Sequence, residues 1–403
     1  MTRINIFLFH KLNATGIKRF INHFLNQPFI TYLNLKIMKK TLLNFKFIKQ
    51  FLAVCTVVSI IAISCGKKDS APPPPPADKT ALQKAVDSAQ KLQDNTVEGT
   101  KPGQYEAGTK APLTTALGAS KTVLSNDKAT QADVNNTVAQ LNAAITTYQG
   151  HLIQEIAAAN LIGYWKMNGN ANDSSGKGND GTVKAGHAYF GAGLPTLTKD
   201  RFNRDNMAYH FDKGGNIEVP YKADLNPPAM SISIWAKWVS DGRALNTDTY
   251  TMVAMNRWNG YKFQLQSGHL PFYTVKVTKG TAVGDTTIYD RDDAGVAVPE
   301  NEWHHLVVTF TSGVENFYID GDLVKTWDSS TPNPVPGNAI TLANPINFVI
   351  GQDLPTDKYT TTQDDFYVNW GGFWTGDLDD VMFYNIALTG PQVKSIYTNQ
   401  KTE

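Results

Sequence analysis

The hydrophobic pattern of residues 78–158 predicts three helices. Apolar side chains recur there every three to four positions, a spacing that places them on one face of a helix. The third stripe is the most regular, and Thr130 stands where it can cap that helix, with Asp133 at the third helical position. Tyr105, between the first two helices, is expected to dock onto the bundle. The stripes are Leu82, Ala85, Val86, Ala89 and Leu92; Leu113, Leu117, Val123 and Leu124; and Val134, Val138, Leu141, Ile145, Tyr148, Leu152 and Ile156.

From about residue 160 to residue 400 the pattern changes to short runs in which apolar and polar residues alternate. Eleven such runs predict strands, enough for one large all-β sandwich of two sheets. In the run 230–238, Ile232 and Ile234 share one face, whereas Trp235 lies on the opposite face, where it is expected to point into a groove. The runs are 162–167, 208–211, 216–220, 230–238, 251–256, 261–266, 271–277, 304–310, 316–320, 346–351 and 379–384.

Near the start of the chain, an apolar run from Phe51 to Ile63 follows several lysines, which is the layout of a secretory signal peptide. The run is shorter than the roughly 20 apolar residues that a membrane-spanning helix needs. It ends in Ala-Ile-Ser-Cys-Gly, which resembles the bacterial lipobox, and that resemblance makes Cys65 the expected site of lipid (palmitate) attachment. Since Met38 opens a better signal than Met1, we expect Met38 to be the true start.

The charge is divided unevenly along the 403 residues. Residues 1–64 hold nine Lys or Arg and no Asp or Glu, so the remainder carries 28 basic against 36 acidic residues. A net negative remainder disfavours nucleic acid as a partner, because phosphate binding depends on clustered positive charge. Cys55 and Cys65 are the two cysteines, so the segment after residue 65 has neither disulfides nor cysteine-based metal sites.

These patterns divide the chain into four segments. Residues 1–64 are a leader with a signal peptide, and residues 65–77 are a lipidated cysteine followed by a proline-rich spacer. Residues 78–158 form a helical module, and residues 160–400 form a β-sandwich. The expected location is the cell envelope, with the lipid anchor in a membrane, most naturally the outer membrane of a Gram-negative bacterium.

Both folded segments resemble known families. The segments 96–110 and 125–145 resemble the FIVAR-type helical repeat of bacterial surface proteins. GYWKMNGNANDSSGKGNDGTV, YHFDKGGNIEVP, NEWHHLVVTF, NFYIDGDLV, FVIGQ and GDLDDVMFYNIALTGPQVKSIY resemble, in this order, concanavalin A-like, laminin G-like (LamG) domains. The second resemblance implies a jelly roll of two curved antiparallel sheets whose concave face usually presents the ligand surface. The expected fold is therefore multidomain, with a small all-α three-helix bundle before an all-β jelly roll.

The LamG resemblance also implies a structural calcium ion, because related jelly rolls often hold one between their first and last strands. Carboxylate, amide and carbonyl oxygens are the ligands that Ca²⁺ prefers. Asp173 and Asp379 are the best candidates, together with Asn168 in the loop after the first strand. A second interpretation stays open, in which these aspartates accept backbone hydrogen bonds in turns.

Aromatic residues in loop-like segments supply candidate ligand contacts, since sugars offer flat CH faces that stack on aromatic rings. Trp258 and Trp370 are the best candidates because Asn, Gly and Arg surround them, although most aromatic residues of a sandwich belong to its core. The full candidate set is Trp258, Tyr261, Tyr273, Trp370, Phe373 and Trp374 for stacking, with Asn256, Arg257 and Gln264 for hydroxyl groups.

The expected function is binding of a polysaccharide or glycoconjugate without cleavage. Glycosidases of this fold carry their carboxylates in a Glu-x-Asp-x-x-Glu string, which this sequence lacks. Two alternatives stay open: a protein-binding adhesin or structural surface component, and a divergent glycoside hydrolase.

Overall fold

The computed structural model describes residues 75–402 apart from 244–248, 267, 279–283, 293–294, 331–336 and 343. The predicted start Met38, the predicted signal peptide and the predicted lipidation site Cys65 lie outside the described residues. Three helices come first, two facing sheets follow, and a fourth helix ends the described chain. Among the described helices, none combines the length and the apolar character that crossing a bilayer requires.

The N-terminal module is a bundle of three helices, α1 (Thr80–Asn95), α2 (Lys110–Ser125) and α3 (Gln131–Gly150). The predicted capping of α3 is confirmed, because the Thr130 side chain accepts from the Asp133 backbone while Asp133 accepts from that of Thr130. Tyr105 also docks as predicted and stacks on Tyr148 with ring centroids 4.3 Å apart. The apolar faces of the three helices meet in one core.

The predicted stripe of α3 is too long at its C-terminal end. The helix ends at Gly150, so Leu152 and Ile156 lie beyond it. The backbone there bonds to the loop before α2 instead, with Ile153 donating to the Gln104 carbonyl at 2.9 Å. Leu152 still packs on the bundle, but Ile156 packs on the sandwich.

The described part of the sandwich contains fifteen strands. The eight-stranded sheet has the order β13-β12-β11-β6-β15-β4-β3, with β1 also paired to β15, and the seven-stranded sheet has the order β10-β9-β8-β7-β14-β5-β2. The strands are β1 (Leu161–Trp165), β2 (Thr182–Lys184), β3 (Thr196–Thr198), β4 (Ala208–Phe211), β5 (Asn216–Val219), β6 (Met230–Trp238), β7 (Tyr250–Met255), β8 (Tyr261–Gln266), β9 (Leu270–Thr278), β10 (Thr286–Asp292), β11 (His304–Thr311), β12 (Val314–Ile319), β13 (Asp322–Trp327), β14 (Phe348–Ile350) and β15 (Gly376–Tyr384).

The predicted fold class is confirmed. All eleven predicted runs contain strands, and every pairing of named strands is antiparallel. The inward faces of both sheets meet in one large apolar core, so the architecture is a jelly-roll sandwich.

The outer face of the eight-stranded sheet is covered by helix α4 (Gly390–Gln400). Trp235 lies under this helix and is 4% exposed. Its ring stacks on Tyr397, and its Nε1 donates to Oε1 of Gln400 at 2.9 Å. Trp235 therefore does not face an open groove: α4 covers the mixed face of β6, and the nearly buried ring only borders a small recess of about 220 Å³ beside Trp303.

Candidate functional site

An open groove of about 660 Å³ lies on the outer face of the seven-stranded sheet. Its floor comes from β8, β9 and β10. Tyr261, Phe263 and Leu265 of β8 belong to the core, so the alternating residues of that strand face outward. Its lining residues are Thr249, Trp258, Lys262, Gln266, Phe272, Ile288, Asp290, Asn369, Trp370 and Gly371.

A polar row crosses the floor of the groove. Lys262 of β8 is paired with Thr274 of β9, and Thr274 is paired with Asp290 of β10. Directly opposed residues of antiparallel strands share a face, so the three side chains stand side by side. Thr274 Oγ1 donates to Asp290 Oδ1 at 2.6 Å. The floor thus offers a cation and a carboxylate within one row.

Two tryptophans form the wall above this row. Trp258 lies in the short 3₁₀ turn between β7 and β8, and Trp370 ends a second turn at Val368–Trp370. Their ring centroids are 5.7 Å apart, and their planes are inclined by 57°. Trp370 is 42% exposed, while Trp258 is half-buried. An exposed indole beside polar groups is the combination that sugar stacking requires.

The turn that carries Trp258 has an unusual backbone. Asn256 and Arg257 have φ values of +62° and +51°, in the left-handed region that non-glycine residues rarely adopt. Gly260 closes the turn, and a Cβ atom there would lie 2.2 Å from the carbonyl oxygen of Met255. Backbone strain of this kind persists only where the surrounding contacts enforce it.

Arg257 supplies those contacts from behind the groove. Its side chain is 1% exposed, and Nε donates to Oδ2 of Asp353 at 2.8 Å. Nη1 donates at 3.2 Å to the carbonyl oxygens of both Asp365 and Tyr367, just before Trp370. The guanidinium carbon also lies 4.8 Å from the centroid of the Trp258 ring. Arg257 therefore ties together the two turns that hold the tryptophans.

Lys262 is the charged residue at the floor, and it is 8% exposed. Burial lowers the pKa of its ammonium group, and the nearby carboxylates of Asp353 and Asp290 offset only part of this effect. Its Nζ lies 5.8 Å from the centroid of the Trp258 ring. The cation is thus held beneath an aromatic face rather than in bulk water.

Residues 211–394 match the model of Laminin_G_3, described as the concanavalin A-like lectin/glucanases superfamily. This stretch is a concanavalin A-like domain. The match contains every residue that lines the groove. The groove therefore belongs to the concanavalin A-like domain itself and not to the helical module.

Individual known proteins resemble the chain more distantly. A gellan lyase from Bacillus sp is 45% identical over 78 residues, which are 19% of this chain and 3% of the lyase, so the chain spans a very small part of that relative. Domain 4 of AbnA, a GH43 extracellular arabinanase from Geobacillus stearothermophilus, was solved with arabinotriose. It has a TM-score of 0.40 and 18% identity, over 59% of this chain and 98% of that one. The binding domain of Paraclostridial Mosquitocidal Protein 1 has a TM-score of 0.40 and 16% identity, over 60% and 53% of the two chains.

Two of the predicted ligand contacts, Trp258 and Trp370, lie together in the groove. Arg257 supports them from behind, and Asn256 is half-buried in the strained turn. The remaining candidates do not line the groove. Tyr261, Tyr273 and Trp374 are buried in the core, and Phe373 lines a neighbouring recess. Gln264 is on the outer face of β8 but is 0% exposed and hydrogen-bonded to Gln266.

That neighbouring recess, of about 700 Å³, meets the groove at Gly371. Its Arg243 is paired with Asp241 and donates to the Phe373 carbonyl at 3.1 Å. The guanidinium carbon also lies 4.1 Å from the centroids of the Tyr250 and Phe373 rings. These contacts engage Arg243 and cover the Phe373 ring, whereas Tyr189 of the same recess is 61% exposed. Because no two tryptophans face one another among the described residues that line the recess, it is a weaker candidate site than the groove.

Eight of the ten lining residues were not predicted from the sequence, among them Lys262, Phe272, Ile288 and Asp290. Lys262 did leave a signal, since a lysine stands between Tyr261 and Phe263 in a run whose other face is apolar. The residues of β10 left no comparable signal, because that strand was not predicted.

The predicted calcium ligands are engaged in other contacts. Asp173 accepts from the backbone N–H groups of Tyr164, Ser175 and Asn179 at 2.8–3.0 Å, as a turn-capping aspartate does. Burial alone would raise the pKa of Asp173, but these hydrogen bonds outweigh it and the pKa is lowered.

The other predicted ligand, Asp379, forms an ion pair of 2.6 Å with Arg201, which also pairs with Asp380 at 2.8 Å. No group of three or more His, Cys, Asp or Glu suited to a metal ion occurs in the described part of the chain, and Asn168 adds only an exposed amide in the β1 loop. Asp173 and Asp379 thus contact protein groups here, as the alternative interpretation expects for Asp173, and the calcium site stays a prediction.

Proposed function

We propose that the concanavalin A-like domain binds a glycan in the groove and does not cleave it. The observation that carries this proposal is the pair Trp258 and Trp370, inclined to one another above a polar floor. A sugar ring has flat CH faces edged by hydroxyl groups, so it needs an aromatic platform with donors and acceptors beside it. Asn369 at the rim and Asp290 on the floor supply such polar groups.

The openness of the groove also suits part of an extended chain. It is open to solvent, and no strand or helix of the described residues covers the outer face of β8 and β9 there. An open groove admits an internal segment of a polysaccharide, whereas a closed pocket would admit only a chain end or a small sugar.

The arrangement of carboxylates favours binding over hydrolysis. Glycosidases use two carboxyl groups on either side of the scissile bond, roughly 5 to 9.5 Å apart. Asp290 is the only carboxylate among the described residues that line the groove. Behind the wall, Asp353 is 1% exposed and paired with Arg257, and Asp365 accepts from the Asn259 amide at 3.0 Å without lining the groove. Among the described residues, the lining of the groove thus offers one carboxylate, which favours binding over hydrolysis.

Isothermal titration across a panel of polysaccharides tests the proposal. The wild-type protein should bind at least one of them, and Trp370→Ala should weaken that binding by about 5- to 150-fold, if a sugar ring stacks on the indole with the roughly 1–3 kcal/mol that a nucleic acid base gains on an aromatic side chain. Trp303→Ala is the matched control, because Trp303 is a partly exposed indole in a different recess, with Arg201 and Tyr397. Equal losses in both variants, or no binding by the wild type, would contradict the proposal, as would release of soluble products from the bound polysaccharide.

We further propose that Cys65 carries a lipid and anchors the protein in the cell envelope. The support is the lysine-rich start, the apolar run of residues 51–63 and the proline-rich spacer at 72–76. In cells that express the chain from Met38, Cys65→Ser should move the protein from the detergent phase to the aqueous phase of a detergent partition. Unchanged recovery in the detergent phase would overturn the anchor.

A further inference from the structure

Lys262 is largely buried, and no carboxylate forms an ion pair with its ammonium group. The residue is 8% exposed and lines the groove. Within the described residues, it forms no ion pair and donates no hydrogen bond; its contact is the cation–π approach to Trp258. Buried lysines are almost always paired, so an unpaired one that lines an open groove calls for an explanation.

The two nearest carboxylates are already committed to other groups. Asp353 accepts from Nε of Arg257 at 2.8 Å and also from the hydroxyl of Tyr359. Asp290 accepts from Thr274 at 2.6 Å. Each of them lies near enough to act on Lys262 electrostatically, but neither forms an ion pair with it. Asp290 thus remains a carboxylate in the same row, but within the described residues the Lys262 ammonium group has no direct ion-pair partner.

Burial therefore imposes a desolvation cost on the ammonium group of Lys262 in the free protein. Removing an ammonium group from water is costly unless an anion or several acceptors replace the water. The lowered pKa of Lys262 expresses the same cost. An anionic group that entered the groove would recover this energy, and a neutral hydroxyl would recover only part of it.

We propose that the glycan bound in this groove is acidic, and that an anionic substituent, a uronate carboxylate or a sulfate ester, pairs with Lys262 while a neighbouring sugar ring stacks on Trp370. This inference rests on the proposed glycan-binding function and adds the class of ligand. Lys262 would supply the preference for charge, and the tryptophans would supply binding that neutral and acidic sugars share.

Matched polysaccharide pairs test the proposal by isothermal titration. One pair is a uronic acid polysaccharide and the same polymer with its carboxyl groups reduced to alcohols; the other is a sulfated polysaccharide and its desulfated form. The wild type should bind the acidic member of at least one pair about tenfold more tightly than its neutral counterpart, which is the scale of one charge-assisted hydrogen bond. The pair that shows the preference identifies the anion as carboxylate or sulfate.

Lys262→Met removes the charge but keeps an unbranched apolar side chain that suits a buried site. It should bind both members of the pair with the weaker, neutral affinity. Lys262→Arg should retain a preference for the acidic member, because it restores the charge. Lys276→Met is the control: Lys276 lies on the same outer face in β9, where it donates to Asn259, and does not line the groove. This variant loses the same net charge and should keep the preference of the wild type.

The outcomes separate this inference from the proposed function. Binding of acidic and neutral members with equal affinity, unchanged in Lys262→Met, would overturn the acidic ligand and leave glycan binding standing. An equal loss of preference in Lys276→Met would also overturn it, because general charge would then explain the effect. Failure of the wild type to bind any member would overturn the proposed function itself. Thermal unfolding of each variant shows whether a lost affinity reflects a lost fold.

Discussion

Arg257 donates a hydrogen bond of 2.8 Å to Asp353, and the two side chains are 1% and 2% exposed. The pair joins the β7–β8 turn, which bears Trp258, to the loop that bears Trp370. The geometry of the tryptophan wall therefore depends on an ion pair that has no contact with solvent.

Asp353→Ala should lower the free energy of unfolding by about 3–5 kcal/mol, because it leaves the guanidinium of Arg257 buried and unpaired. Urea unfolding measures this loss. The control is Asp205→Ala, which breaks the ion pair between Asp205 and Lys199. These side chains are 78% and 52% exposed, so the loss should be less than about 1 kcal/mol. A loss in Asp353→Ala no larger than that of the control would show that the buried pair does not hold the turns.

The β7–β8 turn itself provides a second prediction. Gly260→Ala should cost about 1–3 kcal/mol, because the added methyl group meets the Met255 carbonyl at 2.2 Å and the turn must shift. It should also weaken glycan binding, since the displaced turn carries Trp258. Gly118→Ala is the matched control: this glycine is exposed in α2, a Cβ there has open space, and the change should stabilise by about 0.5–1 kcal/mol. If Gly260→Ala left the free energy of unfolding unchanged, that result would contradict the tight turn.

The pair Asp379 and Asp380 predicts how stability varies with pH. Burial, followed by the neighbouring Asp380 carboxylate, raises the pKa of Asp379 to about 8, although Arg201 partly opposes this. In the folded state Asp379 therefore keeps its proton up to about pH 8. In the unfolded state it releases this proton at its ordinary pKa of about 3.8. The stabilisation is complete below that value and is lost as the pH rises from about 4 to 8, by at most about 1.4 kcal/mol per pH unit.

Asp379→Asn keeps a neutral side chain at every pH, so its free energy of unfolding should fall less steeply than that of the wild type between pH 4 and pH 8. Urea unfolding at pH 5, 6.5 and 8 gives the comparison, and the exposed Asp205→Asn serves as the control. Parallel curves for Asp379→Asn and the wild type would show that Asp379 has no raised pKa in the folded state.

The sequence predicted the interior of the sandwich better than its margins. The four strands that lie outside the eleven predicted runs are β2, β3, β10 and β13, and these are the four ends of the two sheets. An edge strand pairs on one side only, and much of its surface meets solvent. Its residues therefore carry no apolar alternation: β10 reads TTIYDRD, and none of its residues is buried.

The candidate site was likewise predictable only where the local sequence pattern carried the signal. Trp258 and Trp370 were identifiable because tryptophans among Asn, Gly and Arg stand out from a core pattern. Arg257 was expected to meet ligand hydroxyls, but its role depends on Asp353, 96 residues later, a pairing that local pattern cannot reveal. Trp235 was misplaced for a similar reason, since the helix that covers it lies at the far end of the chain.

Glycan binding in the groove is tested most directly by titrating the protein with polysaccharide and following the ¹⁵N-labelled indole N–H signals by NMR. The chain has eight tryptophans, each with one indole N–H signal. On saturation with the polysaccharide that binds best, the signals of Trp258 and Trp370 should shift, while those of the core residues Trp165 and Trp374 stay in place. Shifts confined to other tryptophans, or none at saturation, would contradict glycan binding in this groove.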